Sequence, residues 1–223
     1  GDERVHVEGD PAAGRVDRFI AISDTVAERI RRTYSRAAAV VYPPVDTSWA
    51  RPNGAPPEDF YLVVARLVRY KRVDLAIDAC NRLRRRLLIV GSGPEEPKLR
   101  RLAGPTIEFV GRLGDAEVAT LYARCKAFIF PGFEDFGITP VEAQAAGRPV
   151  VALARGGAGE TVVDQVTGVL FDDQSADALV EAMERLERLS IAPGACRDNA
   201  MRFDASVFRE RMGAAVQAAI NGE

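Results

Sequence analysis

Short apolar segments alternate with amphipathic segments along most of this chain of 223 residues, and this alternation limits its fold more than any other feature. Within the longer segments, apolar residues recur at helical spacing, for example at Val73, Ala76, Ile77, Cys80 and Leu83. A helix with this spacing buries one face. Strands that alternate with such helices pair in parallel, and the helices cover both faces of the sheet. The sequence therefore predicts an α/β fold with a Rossmann-like, doubly wound parallel sheet.

Eight short apolar segments are the candidate strands, and most are too apolar to leave one face in water. They comprise residues 18–22, 38–42, 61–65, 87–90, 107–110, 127–130, 150–153 and 169–171. Apolar stripes predict helices at 24–34, 73–83, 118–125, 179–189 and 208–219. Residues 49–59 contain three prolines and indicate a connecting loop. Residues 15–48 offer too little to close a core, so we expect them to pack against the main domain or a partner.

Charges almost balance, with 30 basic and 32 acidic side chains. Nucleic-acid-binding proteins usually carry a basic excess, so no nucleic-acid partner is expected. No apolar segment approaches the roughly 18 residues that span a bilayer, and the first residues are charged rather than signal-like, which predicts a cytoplasmic protein.

One basic run, Arg82 with residues 84–86, falls at a helix C-terminus, where cations complement the dipole. Contact with an anionic membrane surface is the alternative.

Three cysteines, Cys80, Cys125 and Cys196, are widely spaced, and two of them fall on apolar helix stripes. We expect buried, reduced thiols, as in a reducing compartment. A structural zinc site needs close pairs of cysteine or histidine, but the single histidine, His6, lies in the polar leader. No metal site is therefore predicted.

The densest group of unusual residues lies between 131 and 149, where a helix follows a strand. Parallel sheets bind ligands beyond their C-terminal strand ends, and a helix that begins there offers free amides to an anion. Gly137 is the expected point of close backbone approach. Glu134 precedes the helix and Glu142 lies a turn inside it, so we expect them to contact different parts of one ligand. A carboxylate can bind a vicinal diol of a sugar or ribose, although a cap or surface charge explains either glutamate alone.

Two cations, Arg66 and Lys71, follow another predicted strand at the same edge of the sheet. Such a pair suits a diphosphate, although basic residues also occur at strand ends without a ligand. Gly91 and Gly93 follow the next strand, but Glu96 replaces the third glycine of a dinucleotide fingerprint, which disfavours a nicotinamide cofactor. We expect these two glycines to let the backbone approach a ligand.

A second glycine-rich stretch, residues 156–160, follows a later strand together with the segment 166–168. Both indicate either a flexible rim around a pocket or tight turns. No Ser-His-Asp triad can be assembled, because the only histidine lies in the leader, and no Walker loop occurs. The residues therefore favour a ligand that carries a diphosphate and a diol.

Together, these segments resemble family 4 glycosyltransferases, which are retaining enzymes built from two facing Rossmann-like domains. The most specific element is the pair Glu134 and Glu142 with seven residues between them, followed by Ala-Gly-Arg-Pro at 146–149. The family's other motifs occur in the same order along this chain, at segments 41–46, 90–94, 109–112 and 156–160 and at Arg66 with Lys71. The resemblance covers residues 16 to 220 and implies the C-terminal, donor-binding half of such an enzyme.

The resemblance implies a role for each candidate residue. Arg66 and Lys71 would hold the diphosphate of a nucleoside-diphosphate sugar, and Glu134, beside the donor sugar, completes the catalytic set. Glu142 would bind the ribose. The other donor-binding residues are the backbone amides of Phe136, Gly137, Ile138 and Thr139, the glycines Gly91 and Gly93, and Val110, Arg112 and Leu113 around the base. The sugar nucleotide is a co-substrate, and no cofactor or metal is required.

The sequence at 42–47 and 69–74 is most similar to bacterial polysaccharide and lipopolysaccharide mannosyltransferases. This similarity implies GDP-mannose as the first candidate donor and a saccharide or lipid-linked acceptor. Such an acceptor would place a cytoplasmic enzyme in peripheral contact with the inner membrane face. Two positions depart from the family's pattern, since Gly132 replaces a common serine and Gln165 a usual glycine.

The family also has a whole N-terminal acceptor-binding domain that this sequence does not contain. We therefore interpret residues 1–15 as a flexible polar leader, 16–36 as the tail of that domain and 37–223 as the nucleotide-sugar-binding domain. The chain alone is expected to be inactive without its partner domain. A non-catalytic sugar-nucleotide-binding module or subunit is the alternative, because its donor site would look the same. A glycosidase is disfavoured, because the two cations would then have no anionic ligand.

Overall fold

The computed structural model describes residues 15–221 of the chain. Its strands in this range are β1 (Phe19–Ala21), β2 (Ala38–Val40), β3 (Tyr61–Val64), β4 (Leu87–Val90), β5 (Ile107–Gly111), β6 (Ala127–Phe130), β7 (Val150–Leu153) and β8 (Gly168–Phe171). The α-helices are α1 (Asp24–Tyr34), α2 (Val73–Leu83), α3 (Glu96–Leu102), α4 (Asp115–Arg124), α5 (Ile138–Ala145), α6 (Ala158–Thr161), α7 (Ala176–Glu187), α8 (Pro193–Met201) and α9 (Ala205–Asn221). A short 3-10 helix, Arg69–Lys71, precedes α2. Every predicted strand is confirmed to within two residues at each end.

Six strands form one parallel sheet in the order β5-β4-β3-β6-β7-β8. The chain builds outward from β3 to β5, returns to the middle, and builds outward again from β6 to β8. This is the doubly wound strand order, in which ligands bind where the two halves meet, beyond the C-terminal strand ends. The predicted fold class is confirmed, and the switch between the halves lies between β3 and β6.

Helices cover both faces of the large sheet. Successive side chains of β3 point to opposite faces, as in any strand. Tyr61 and Val63 pack with α2 and α7, whereas Leu62 packs with α4 and α5. Every residue of β4, β6 and β7 is buried. The loops at the C-terminal ends of these three strands therefore start from buried backbone.

β1 and β2 pair in parallel in a separate two-stranded sheet, with α1 between them in the chain. Neither strand is buried throughout, and α1 has no buried residue. This small sheet includes residues on both sides of the boundary predicted between 36 and 37, and that division of the chain stays a prediction. Residues 1–14 of the predicted leader lie outside the described residues.

The segment after β2 is tied to the C-terminal helices. Val45 donates a backbone hydrogen bond of 3.0 Å to Phe203 and accepts one of 3.1 Å from Ala205. The Arg197 guanidinium donates to the carbonyls of Thr47, Ala50 and Ala145. These bonds fix the path of the chain into the connecting loop predicted at 49–59.

The basic run at the end of α2 is largely neutralised by ion pairs. Arg82 pairs with Asp78 and Asp177, Arg85 with Glu187, and Arg86 with Glu108. These pairs favour a structural interpretation of the run over a membrane-binding one. Among residues 15–221, no helix combines the length and the apolar character needed to cross a bilayer.

The three cysteines are buried and free, as predicted. Burial raises the pKa of the Cys80, Cys125 and Cys196 thiols to about 12. Because only a thiolate reacts readily, these side chains act as small core residues.

Candidate active site

A cavity of about 790 Å³ opens beyond the C-terminal ends of β3, β4 and β5, beside α5. Its volume lies in the usual range of small-molecule pockets, and its position is the crevice where doubly wound sheets bind ligands. Eight of the residues predicted from the sequence line it, namely Arg66, Lys71, Gly91, Gly93, Arg112, Leu113, Thr139 and Glu142. The other five, Val110, Glu134, Phe136, Gly137 and Ile138, do not line it. The structure thus gathers the predicted cations and one of the two glutamates around a single space.

Glu142 reaches the cavity from the second turn of α5. Its carboxylate accepts a hydrogen bond of 3.0 Å from the hydroxyl of Tyr122, a side chain that is fully buried. Burial raises the pKa of Glu142, although the bond from Tyr122 opposes this rise. A carboxylate held by one hydrogen bond keeps the capacity to accept further bonds from hydroxyl groups in the cavity.

Lys71 ends the 3-10 helix after β3, and its ammonium forms an ion pair with the Glu134 carboxylate. The two side chains are only 17% and 21% exposed. The ammonium also lies 5.3 Å from the ring centroid of Tyr70 and 6.0 Å from that of Phe130. Because attraction between charges grows as water is excluded, this pair is stronger than one on the open surface. An anion in the cavity would compete with Glu134 for Lys71.

Two guanidinium groups border the same cavity. Arg66 lies two residues beyond β3, Arg112 follows β5, and both side chains are exposed. Together with the Lys71 ammonium they give the cavity a cationic wall. Guanidinium and ammonium groups in this number suit phosphate groups.

Gly91 and Gly93 are required by the packing of two neighbouring loops. Gly91 has a φ of +126°, and a Cβ atom there would lie 1.9 Å from the Ala65 carbonyl oxygen. A Cβ atom on Gly93 would lie 2.3 Å from the Leu67 carbonyl oxygen. Leu67 also donates a backbone hydrogen bond of 3.0 Å to Ser92. Beyond their place in the cavity wall, these glycines therefore let the loop after β4 pack against the loop after β3.

The loop 131–137 leads into α5, and Gly137 is the residue that caps this helix. The Phe136 ring is buried against Tyr42 and Phe203, at centroid distances of 5.8 and 5.7 Å. Only the backbone of Phe136 is therefore available to a ligand. Ile138 begins α5 and is 47% exposed.

The glycine-rich stretch at 156–160 packs against this same loop. Gly157 donates a backbone hydrogen bond of 2.9 Å to the Glu134 carbonyl. A Cβ atom on Gly156 would lie 2.2 Å from that carbonyl oxygen, and one on Gly157 would lie 2.2 Å from the Phe136 Cα atom. Close packing therefore explains the glycines, and the stretch is a support for the loop rather than a wall of the cavity.

Trp49, Ser92 and Asp115 also line the cavity, and no sequence pattern singled them out. The Trp49 ring packs edge-on against Tyr122, with 5.9 Å between ring centroids. The one available signal was that Trp49 is the only tryptophan of the chain. Ser92 stands between the two glycines and Asp115 begins α4, positions that many polar residues occupy.

The structure shows the local backbone at Gly132 and Gln165, the two positions that depart from the family's pattern. A Cβ atom on Gly132 would lie 2.9 Å from both the Lys71 Cα atom and the Tyr70 carbonyl oxygen. Gln165 has a φ of +62°, a conformation that glycine adopts most easily.

Within residues 15–221, no group of three or more His, Cys, Asp or Glu side chains is placed to hold a metal ion. Independence from metals stays a prediction.

The doubly wound sheet and the cation-lined cavity define an α/β domain of the class that binds ligands where the two halves of its sheet meet. Residues 46–203 match the family described as Glycosyl transferases group 1. This match spans well over half of the chain, and the chain belongs to that family.

Curated relatives include mannosyltransferases. The O-antigen chain mannosyltransferase C of Escherichia coli is 34% identical over 137 residues, which cover 58% of this chain and 37% of that protein. A GDP-mannose-dependent alpha-(1-6)-phosphatidylinositol monomannoside mannosyltransferase of Mycobacterium tuberculosis is 31% identical over an alignment length of 196, and the alignment covers 74% of this chain and 51% of that protein. The chain thus spans between about a third and a half of the length of these two relatives.

Solved glycosyltransferase structures share the fold. Sucrose-phosphate synthase from Thermosynechococcus elongatus matches with a TM-score of 0.80 and 22% identity, over 93% of this chain and 59% of that one. Anabaena HepE in complex with UDP and glucose matches with a TM-score of 0.79 and 21% identity, over 93% of this chain and 64% of that one. At this level of identity, the likeness concerns the fold alone.

Proposed function

We propose that this chain is the donor-binding domain of a retaining glycosyltransferase that takes a sugar from a nucleoside diphosphate. The observation that carries the proposal is the single cavity lined by Arg66, Lys71 and Glu142. A nucleoside-diphosphate sugar has the matching parts, which are a diphosphate for the cations and a ribose diol for the carboxylate. The apolar side chains of Trp49 and Leu113 then offer a surface for the base.

The proposed chemistry is mainly electrostatic. As the bond between the sugar and the diphosphate breaks, negative charge develops on the leaving group, and Arg66 and Lys71 stabilise it. The first amides of α5, at Ile138 and Thr139, lie at the positive end of that helix and act in the same direction. Glu134, paired with Lys71, borders the donor sugar and favours the positive charge that develops on it.

No protein base is needed for this reaction. The departing phosphate accepts the proton of the acceptor hydroxyl as the new glycosidic bond forms on the same face of the sugar. The acceptor, a saccharide or a lipid-linked saccharide, is expected to bind on a second domain, for which residues 16–36 would be the tail. Transfer would then require that domain as well as this chain, and a lipid-linked acceptor would bring the enzyme to a membrane surface.

GDP-mannose is the first donor that we propose. The two relatives described above are mannosyltransferases, and one of them is described as GDP-mannose-dependent. A structural neighbour is described in complex with UDP and glucose, which makes UDP the natural competitor in any test.

Calorimetric titration of the purified chain with GDP, UDP and ADP, each with and without magnesium, tests the proposal. We expect one nucleotide, GDP first, to bind in the micromolar to submillimolar range without a need for magnesium. Arg66→Ala should weaken this binding, whereas Arg101→Ala, an equal charge change on the exposed face of α3, should not. The proposal fails if no nucleotide binds, or if the two variants behave alike.

A further inference from the structure

The first turn of α1 is bound by a carboxylate from a distant part of the chain. Glu160, in α6, accepts hydrogen bonds from the backbone amides of Asp24 and Thr25 at 2.8 and 3.0 Å. It also accepts one of 3.1 Å from the Thr25 hydroxyl. A carboxylate in this place satisfies amides that have no partner within the helix and lies at the positive end of its dipole. This contact fastens α1 to the glycine-rich stretch 156–160.

A second contact fastens the same helix to the loop 131–137. The Arg29 guanidinium donates two hydrogen bonds to the two carboxylate oxygens of Asp135. The side chains are 53% and 39% exposed, so this pair alone is weak. Its importance lies in its position, because Asp135 is the residue next to Glu134.

Both contacts converge on Glu134. The stretch bound through Glu160 holds the Glu134 carbonyl through the amide of Gly157. The loop bound through Asp135 contains Glu134 itself. By contrast, Glu142 is held by Tyr122 within the large-sheet domain, and neither of these contacts touches it.

We propose that α1 sets the position of Glu134, with Glu160 and Arg29 as positioning residues that act through the two loops. A shift of α1 then changes the sugar end of the proposed donor site, around Glu134, and leaves the nucleotide end, around Glu142, unchanged. The proposal takes the role of Glu134 beside the sugar from the function proposed above. The contacts themselves, and the loop ordering that they cause, do not depend on that role.

Amide hydrogen exchange on the whole chain tests this coupling. In Glu160→Ala, we expect exchange in segments 131–138 and 156–159 to become about threefold faster or more, with no change in 87–94. Glu28→Ala is the matched control, because Glu28 also lies on α1 but, among residues 15–221, forms its ion pairs with Arg31 and Arg32 of the same helix. It should leave segments 131–138 and 156–159 unchanged.

Arg29→Ala gives a second, independent measurement in case the Glu160 variant does not fold. It should speed exchange in 131–138 by a smaller factor, and Arg29→Lys should keep only part of the protection, because an ammonium keeps the charge but does not reproduce the two-pronged contact with Asp135. Unchanged exchange in 131–138 in the folded Arg29→Ala variant, or an equal change in Glu28→Ala, would overturn the coupling.

A binding measurement then separates this coupling from the proposed function. In Arg29→Ala, the affinity for GDP should stay within about twofold of wild type, while the ratio of GDP-mannose to GDP affinity should change. If wild type binds neither compound but the exchange result holds, the donor-binding proposal fails and the coupling stands. If both compounds bind and exchange in 131–138 does not respond to the variant, the coupling fails and the donor site stands.

Discussion

The proposed donor site has a nucleotide end around Glu142 and a sugar end around Glu134, and these two ends are built differently. At the nucleotide end, Glu142 hydrogen-bonds to a fully buried tyrosine, and Gly91 and Gly93 are in close contact with a neighbouring loop of the large sheet. At the sugar end, Glu134 is held by its ion pair with Lys71 and by loops fastened to α1. One end rests on the hydrophobic core, whereas the other rests on polar contacts between distant segments.

This difference suggests how binding and chemistry are divided. Buried strands and helices hold the residues at their ends in place before a ligand arrives, which favours affinity. A loop held by ion pairs can rearrange at small cost, which suits the catalytic role proposed for Glu134, a role needed only when donor and acceptor are both in place. Lys71 is the residue where the two ends meet, because it lines the cavity and pairs with Glu134.

The largest expected effect is therefore at Lys71. Lys71→Ala removes a cation from the proposed diphosphate site and should weaken nucleoside-diphosphate binding by about 1.5 to 3 kcal/mol, the usual loss for a charged hydrogen bond. Lys98→Ala, on the exposed face of α3, is the control for the change in charge. Titration calorimetry of both variants measures the difference. An unchanged affinity in Lys71→Ala would remove this residue from the site.

An intermediate effect is expected at Glu142, where affinity and stability should change in opposite directions. Glu142→Gln removes a carboxylate acceptor and should weaken nucleotide binding by about 1 kcal/mol. The same change removes a charge whose burial is unfavourable, so the variant should be more stable at neutral pH. Calorimetry and thermal unfolding measure the two effects, with Glu181→Gln on the exposed face of α7 as the control. A loss of both affinity and stability would contradict this account of the nucleotide end.

The stability gain in Glu142→Gln should also depend on pH. Because the pKa of Glu142 is raised in the folded chain, the folded state takes up a proton before the unfolded state as the pH falls. The contribution of Glu142 to stability is thus present below its unfolded pKa and is lost as the pH rises through the folded value. The advantage of the variant should therefore be constant above that raised value and shrink as the pH falls through it toward the unfolded pKa.

The smallest effect is expected at Glu134, and it should have the opposite sign. Glu134→Gln frees Lys71 from its ion pair, so affinity for the nucleoside diphosphate without sugar should rise by about 0.5 to 1 kcal/mol. Glu184→Gln, exposed on α7, should change nothing. Titration with GDP measures the change. A loss of GDP affinity in Glu134→Gln would show that this residue belongs to the nucleotide end.

The sequence predicted the large sheet and many of the residues that line the cavity, for a common physical reason. Buried strands and amphipathic helices carry a periodic apolar pattern, and parallel strand ends must meet at one edge. Residues within two positions of a strand end, such as Arg66, Gly91 and Arg112, are therefore placed by the pattern itself. All three line the cavity.

The sugar end could not be predicted in the same way, because its contacts join segments that no local pattern relates. The Lys71–Glu134 pair spans 63 positions, and the contact between Thr25 and Glu160 spans 135. Trp49, at the nucleotide end, was missed for the same reason, since it reaches the cavity from a loop whose path is fixed by hydrogen bonds from Arg197. Such side-chain contacts leave no periodicity in the sequence, so only the folded chain reveals them.

A crystal structure of the chain with bound GDP tests the proposed donor site most directly. We expect the diphosphate against Arg66 and Lys71, the ribose hydroxyls on Glu142, and a Lys71–Glu134 pair that is opened or shared with phosphate. Nucleotide bound outside the cavity, or inside it with no phosphate contact to Lys71, would rule out this site.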